Sequence, residues 1–321
     1  MSPSLPHTIT YSPAYTLVPT YECFNRCTYC NFRVDPGQDN WLTLADAQQR
    51  LQSLAGQGVI EILLLSGEVH PQSLRRRQWF ERIYQLCELA LRYGFLPHTN
   101  AGPLSFAEME QLRSVNVSMG LMLEQISPKL METVHRHAPS KIPHLRLQQL
   151  EWAGELQIPF TTGLLLGLGE TEAEREEALV AIAAIHQRWG HIQEVILQPH
   201  SPGERQSWEG KAFNAEDLVR VVAIARKILP HDITIQVPPN LIETPQVLLA
   251  CIDAGAKDLG GIVPRDEVNP DYDHLSIEHL SATLKIAGWS LIPRLPVYPH
   301  LQSWLSPRLL EVLQEQQNAL I

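Results

Sequence analysis

The stretch Tyr15-Thr-Leu-Val-Pro-Thr20-Tyr-Glu-Cys23-Phe-Asn-Arg-Cys27-Thr-Tyr-Cys30 decides how the chain is read. A β-rich run, Tyr15 to Thr20, hands over to a loop that carries three cysteines within eight residues. Thiols so close in sequence make a poor disulfide framework and suit a metal site in a reducing compartment. The CxxxCxxC spacing lets one loop wrap three thiolates around three corners of an iron–sulfur cubane, and the fourth iron is left without a protein ligand. Electron transfer needs no open iron, whereas catalysis does, because a substrate or cofactor must coordinate there. Structural zinc held by three Cys and one His is the alternative. Such sites close with a second CxxC or an HxxxH pair, and neither follows at a sensible distance. The remaining cysteines, Cys87 and Cys251, lie in helical patterns and read as small buried apolar residues.

Outward from this loop, short β-rich runs alternate with longer helix-period segments, the signature of βα repetition around a parallel sheet. The candidate strands are Tyr15 to Thr20, Ile60 to Leu65, Phe95 to Thr99, Val117 to Leu123, Phe160 to Leu168, Val195 to Gln198, Thr234 to Val237 and Lys257 to Ile262. Eight strands close a barrel. The expected fold class is therefore α/β, a single (β/α)8 TIM-type barrel over residues 15–290. An N-terminal extension, 1–14, precedes it, and a helical C-terminal tail, 291–321, packs on it. Helix starts are marked at Thr43, at Ser105 with Glu108, at Thr171 with Glu174 and at Asn214 with Asp217. In each, a side-chain oxygen can accept from an orphan backbone N–H while the acidic residue suits the positive end of the helix dipole. Pro264 to His274 and Leu291 to Pro299 read as loops, and Ser306 to Ala319 as the tail helix.

A chain of 321 residues with 44% hydrophobic content supports a large core. Lys and Arg total 25 against 35 for Asp and Glu, a net charge of -10, so nucleic-acid binding has no broad basic surface to rest on. The one basic run, Arg75 to Arg77, opens an amphipathic stretch and reads as a solvated helix face. The opening MSPSLPHTITYSPAYTLVP has no basic segment followed by an apolar one, and nowhere do about 18 apolar residues run together. A cytoplasmic protein with no membrane partner is expected.

With an aromatic residue, Tyr29, before the last cysteine, the cysteine loop resembles the hallmark CxxxCxΦC of the radical S-adenosylmethionine (SAM) superfamily. The resemblance implies a 4Fe-4S cluster held by Cys23, Cys27 and Cys30, with the amino and carboxylate groups of SAM on the open iron. An electron then cleaves the sulfonium, and a 5'-deoxyadenosyl radical takes hydrogen from substrate. Tyr29 and the backbone beside Phe32 would lie near the adenine. After the second strand, Leu65-Ser66-Gly67-Glu68 is similar to the family's Gly-Gly-Glu turn that receives the methionine amine, with Ser66 in place of the first glycine. The fifth strand carries Gly163-Leu-Leu-Leu-Gly167-Leu-Gly169-Glu170, similar to the family's GxIxGxxE segment, where close backbone approach to the adenosyl group needs residues without bulk; a glycine-bearing strand bend is the plainer reading.

Polar residues at the C-terminal ends of TIM-type strands converge on one mouth. Asn100 follows strand three, Glu124 strand four, His200 strand six and Asn240 strand seven. Glu124 can hold a ribose hydroxyl or the methionine amine, or else pair with a nearby Arg. His98 and His200 can shuttle protons or be structural. Arg146 can pair with the SAM carboxylate or lie exposed on its helix.

Beyond the shared motifs, TYECFNRCTYCNF, HTNAGPLS, SMGLMLE, HAPSK with PHLRL, FTTGLLLGLGET and DLGGIVPRDEVNPDY resemble one subfamily, the CofG-type subunit of Fo synthase. That resemblance implies oxidation and cyclisation of a hydroxybenzyl–ribityluracil adduct to the deazaflavin Fo of coenzyme F-420, with loss of ammonia. It further implies a CofH-type partner enzyme that supplies the adduct, and a reductant such as ferredoxin or flavodoxin. Other radical SAM barrels remain the alternatives: the CofH-type partner itself, or a menaquinone-route, hydrogenase-maturation or biotin-synthase-like enzyme. Biotin synthase would need further cysteines for a second cluster. An electron-transfer iron–sulfur protein is the alternative of a different class.

Overall fold

The computed structural model describes residues 7–273 and 275–320. Nine strands follow in chain order: β1 (His7–Leu17), β2 (Glu61–Leu65), β3 (Leu96–Asn100), β4 (Ser118–Gly120), β5 (Phe160–Leu166), β6 (Ile192–Pro199), β7 (Thr234–Gln236), β8 (Asp258–Ile262) and β9 (Trp289–Pro293). The first eight pair in sequence order, all parallel, and β1 pairs with both β2 and β8, so the barrel is closed as expected. β5 is buried at every position, because one of its faces lines the barrel and the other meets the surrounding helices. The helix Arg76–Arg92 shows the matching pattern. Trp79, Ile83, Leu86, Cys87 and Ala90 form its buried stripe at helical spacing.

The expected caps are present. Thr43 accepts from the Asp46 N–H, Ser105 and Thr171 complete capping boxes with Glu108 and Glu174, and Asn214 accepts from the N–H groups of Glu216 and Asp217. Cys87 and Cys251 are buried in helices. The basic run is solvated at two of its three positions: Arg75, paired with Glu22 at 2.7 Å, and Arg77, paired with Glu81 at 2.8 Å, are exposed, while Arg76 is partly buried against Glu108 at 2.8 Å.

Both ends of the barrel depart from the sequence reading. Residues 7–14, expected in an extension, form the lower half of β1; residues 1–6 lie outside the described residues. Pro13 breaks the apparent run because it cannot donate to a ladder, yet its carbonyl still accepts from the Ile60 N–H at 2.9 Å. β9, expected as a loop because of its prolines, runs parallel to His7–Tyr11 on the edge of β1 that β8 leaves free. The chain then crosses beneath the barrel. The Pro296 carbonyl accepts from Ser118 Oγ at 2.7 Å and from Gln193 Nε2 at 3.0 Å, while Arg294 reaches inward to Asp258 and Glu194. Leu301, Leu309 and Leu313 of the tail join the main core. No helix among the described residues is long and apolar enough to cross a membrane.

Candidate active site

The loop between β1 and the first helix is tied to the barrel before it reaches its cysteines. Thr20 Oγ1 and the Tyr21 N–H both donate to Asp39 at 2.7 Å. The buried Glu22 carboxylate accepts from the Gly37 N–H, the Trp41 indole and Arg75. Beyond it, the N–H groups of Cys23, Phe24, Arg26 and Thr28 bond to the carbonyls of Val34, Glu68, His137 and Val134. The three thiols therefore hang from a backbone fixed on several sides.

They open onto one cavity of about 360 Å³ inside the barrel. Every residue singled out from the sequence lines this cavity except the three glycines of the fifth strand region. Burial pushes the Cys23 thiol up to about 11 and the Cys27 thiol up to about 12, so thiolates here call for cations to bind them. Among the described residues, no three His, Cys, Asp or Glu side chains converge as ligands of a single metal ion. Thiolates of a cubane each grip a different iron, and three thiols on one tethered loop fit that donor set. Asn25 adds a side-chain N–H 3.7 Å from the Cys23 sulfur, the kind of contact that tunes a cluster.

Gly67 is required by close approach: a Cβ there would overlap the Glu22 carbonyl oxygen, while its N–H donates to the Thr20 carbonyl at 2.8 Å. Ser66 is accommodated beside it, with its Oγ 2.9 Å from the Trp79 indole nitrogen. Glu68 then points into the cavity, accepting from Asn25 Nδ2 at 2.9 Å with Arg146 at 3.6 Å. Gly102 of the HTNAG segment, with φ of 81°, leaves room for the Glu68 side chain.

Glu124 is the second anchor, held in a left-handed backbone conformation with φ of 64°. It accepts from the Tyr29 hydroxyl at 2.6 Å, pairs with Lys141, and has Arg146 at 3.7 Å and His135 at 3.5 Å. Burial works against its charge, but Lys141 and Arg146 win and hold the carboxyl well below the usual carboxylate range. Of the two alternatives for Glu124, the ion pair is present, and the same carboxylate lines the cavity. Arg146 is not an exposed helix residue: it is 2% exposed and ties Glu68 to Glu124.

The glycine segment has an internal explanation. A Cβ on Gly163 would strike β6 at Ile196, one on Gly167 would meet the Phe213 ring at 2.9 Å, and Gly167 and Gly169 have φ of 95° and 111°. Glu170 folds back to accept from the Gly167 and Leu168 N–H groups at 2.7 Å. The plainer reading, a strand bend, describes these contacts, and the three glycines do not line the cavity.

Around the mouth, Phe32 packs against Tyr21 with ring centroids 5.0 Å apart. Asn100 ends β3. Asn240 donates to Asp266 at 2.9 Å and leaves its Oδ1 without a partner; His200 leaves its Nε2 without one. The His200 ring lies 4.8 Å from Trp208, on a loop whose Ser207 and Trp208 N–H groups bond to the Thr28 carbonyl in the cysteine loop. His98 sits deeper, and burial pushes it down to about 3, so it is neutral. Lys141, His135 and Asn25, which complete the charge network, carry no individual signal in the sequence. Glu61 and Glu194 do, as lone acids in apolar strands that turn out to face the cavity.

The fold and site define a class, and comparison with known proteins gives the same one. Residues 17–182 match the model of the radical SAM superfamily. The FeFe-hydrogenase maturase HydG from Carboxydothermus hydrogenoformans superposes with a TM-score of 0.75 over 97% of this chain and 79% of that one, at 18% identity, which shows a shared fold. A 7,8-didemethyl-8-hydroxy-5-deazariboflavin synthase from Trichormus variabilis is 68% identical over 94% of this chain and 88% of its own. One from Synechococcus elongatus is 65% identical over 96% and 92%. The chain belongs to the radical SAM superfamily and, within it, to the family of 7,8-didemethyl-8-hydroxy-5-deazariboflavin synthases, the Fo synthases.

Proposed function

We propose that this protein is the cytoplasmic radical SAM lyase that forms Fo, oxidising and cyclising the hydroxybenzyl–ribityluracil adduct with loss of ammonia. The observation that carries the reading is three tethered thiols and two anchored carboxylates at the mouth of one deep barrel cavity. When bound, a 4Fe-4S cluster and SAM supply a 5'-deoxyadenosyl radical that takes hydrogen from the substrate. The chain's own residues bind, orient and shield. Cys23, Cys27 and Cys30 would hold three irons, with Asn25 donating toward sulfur. Glu68, fixed by Asn25 and Arg146, is offered to the methionine amine, and Glu124 to a ribose hydroxyl. Arg146 positions those two carboxylates, whereas the sequence alone pointed it toward the SAM carboxylate. Tyr29 and Phe32 would flank the adenine.

Asn100, His200 and Asn240 stand where substrate polar groups would pass, and the unpartnered Nε2 of His200 and Oδ1 of Asn240 suit that role. Trp208 packs on His200 and its loop is bonded to the cysteine loop at Thr28, so a closed pocket that shields a reactive carbon radical from water is the role proposed for it. A CofH-type enzyme would supply the adduct, and a reductant of the ferredoxin or flavodoxin type the electron.

The test is anaerobic reconstitution followed by turnover. With SAM, reductant and the adduct, a fluorescent deazaflavin and 5'-deoxyadenosine are expected. Tyrosine plus 5-amino-6-(D-ribitylamino)uracil without the partner should give none, and tyrosine cleavage by this protein alone would overturn the assignment.

A further inference from the structure

The cavity changes character with depth. Residues two and four apart on a strand face the same side, so β2 presents Glu61, Leu63 and Leu65 to the interior, and β5 presents Thr161 and Leu165. On both strands the wall passes from polar to leucine within four residues, a rise of about 13 Å. The low polar level is completed by His98, Glu194 and Gln236. Under it lies Arg294, which bonds to Asp258 through Nε at 2.6 Å and also pairs with Glu194.

His98 is held so that it can only accept from this space. Ser118 gives its one hydroxyl proton to the Pro296 carbonyl at 2.7 Å, so its oxygen accepts from His98 Nδ1–H, also at 2.7 Å. That leaves His98 Nε2 as the lone-pair acceptor, on a side chain more than nine-tenths buried and lining the cavity. Glu61 adds a carboxyl to the same space, and Glu194, which accepts from Thr161 Oγ1 at 3.2 Å, adds another. Burial raises both carboxyls, Glu194 up to about 8, so near neutrality Glu194 offers an acid hydroxyl donor beside the acceptors of this floor. Arg294, the one cation at this level among the described residues, is already engaged by the Asp258 carboxylate and by Glu194. A floor of this kind suits a neutral chain of hydroxyls, each of which both donates and accepts, and repels a phosphate.

We propose that the bottom of the barrel is a polyol subsite. Glu61, His98, Thr161, Glu194 and Gln236 receive the unphosphorylated ribityl chain of the substrate, which enters chain first. Its flat conjugated part then lies between Leu65, Leu121 and Leu165, just under the cysteine loop. This orientation rests on the activity proposed above and assigns residues which that reading leaves without a role.

Binding to the reconstituted protein separates the two ideas. The probes are 5-amino-6-(D-ribitylamino)uracil, its 5'-phosphate, and the analogue with an N-methyl group in place of the ribityl chain. The ribityl probe is expected to bind on the order of 10-fold or more tighter than either of the others, as two or more net hydrogen bonds require. Glu61→Leu and Thr161→Val, checked for unchanged thermal unfolding, should each shrink that ratio. Equal affinity for all three probes, including no measurable binding, or a preference for the phosphate, overturns the subsite. Deazaflavin formation from the full adduct is scored separately. Turnover without ribityl preference sinks the subsite alone, and ribityl preference without turnover sinks the activity alone.

Discussion

Gly67 lies directly against Glu22: a Cβ on the glycine would overlap the glutamate's carbonyl oxygen. The contact locks the turn after β2 to the strand-side end of the cysteine loop, whose own backbone supplies the oxygen. Gly67→Ala must therefore displace backbone on one side or the other, at a cost of about 1–3 kcal/mol. The variant is expected to unfold at lower temperature and to take up less iron on reconstitution. Ser66→Gly, which introduces no such overlap, should retain iron. Full cluster content in Gly67→Ala would show that the turn and the loop are not coupled.

The cysteines can be sorted by the same measurement. Cys23, Cys27 and Cys30 line the cavity, whereas Cys87 is buried against Thr99 and Asn116 and Cys251 is buried in the helix Pro245–Ala254. Alanine at any of the first three should abolish the cluster and SAM cleavage. Cys87→Ala and Cys251→Ala should keep both and lose only some packing. Cluster retention by Cys27→Ala would sink the donor set.

Legibility in the sequence followed locality. The cysteine loop, the Ser66-Gly67-Glu68 turn and the helix caps are written in a few adjacent residues, and the structure has each of them in the expected place. What escaped depends on distant parts of the chain meeting. Arg294 enters the barrel from a proline-rich segment that reads as a loop, and its partners Asp258 and Glu194 belong to β8 and β6. Arg146 was open between a SAM contact and an exposed helix position because its helix, Pro143–Glu155, has no clean apolar stripe; it is buried through contacts that lie far off in sequence, with Glu68, Glu124 and the Met122 carbonyl, besides the nearby Ser140 carbonyl. The glycines of the fifth strand region were legible as glycines, but whether a cofactor or a neighbouring strand fills the space beside them is decided by β6 and Phe213.

Glu124 and Glu68 should differ in how they fail. Both face the cavity beside Arg146, but Glu124 also holds Tyr29 and Lys141. Loss of one charge-assisted hydrogen bond to SAM is worth about 1.5–3 kcal/mol, so Glu68→Ala should weaken SAM binding roughly 10- to 150-fold with iron content unchanged. Glu124→Ala leaves Lys141 and Arg146 short of a counter-charge inside the protein, so it should lower thermal stability as well as affinity. Equilibrium SAM binding and thermal unfolding of the two variants check this together. Unchanged SAM affinity in Glu68→Ala would move that residue to a structural role.

The last prediction concerns pH. Burial pushes His191 and His98 down to about 3, so both are neutral in the folded protein, while in the unfolded chain they titrate near 6.5. Below pH 6.5 the unfolded state binds the extra protons, and stability falls as pH drops from there toward 3. Each histidine contributes up to about 1.4 kcal/mol per pH unit over that window. Glu194 acts with the opposite sign. Its folded value of about 8 exceeds the ordinary carboxyl value, so between pH 4.5 and 8 the folded state holds the extra proton and stability falls as pH rises. The absolute pH profile therefore mixes opposing slopes, and the difference between a variant and the wild type isolates one group. His191 lies just before β6, away from the cavity lining, which makes it the better probe. Urea unfolding at pH 8, 7, 6 and 5 should show His191→Leu gaining on the wild type by about 1 kcal/mol or more between pH 6 and 5, with almost no change in the difference between pH 8 and 7. A difference that stays constant across all these pH values would mean that His191 titrates normally in the folded protein.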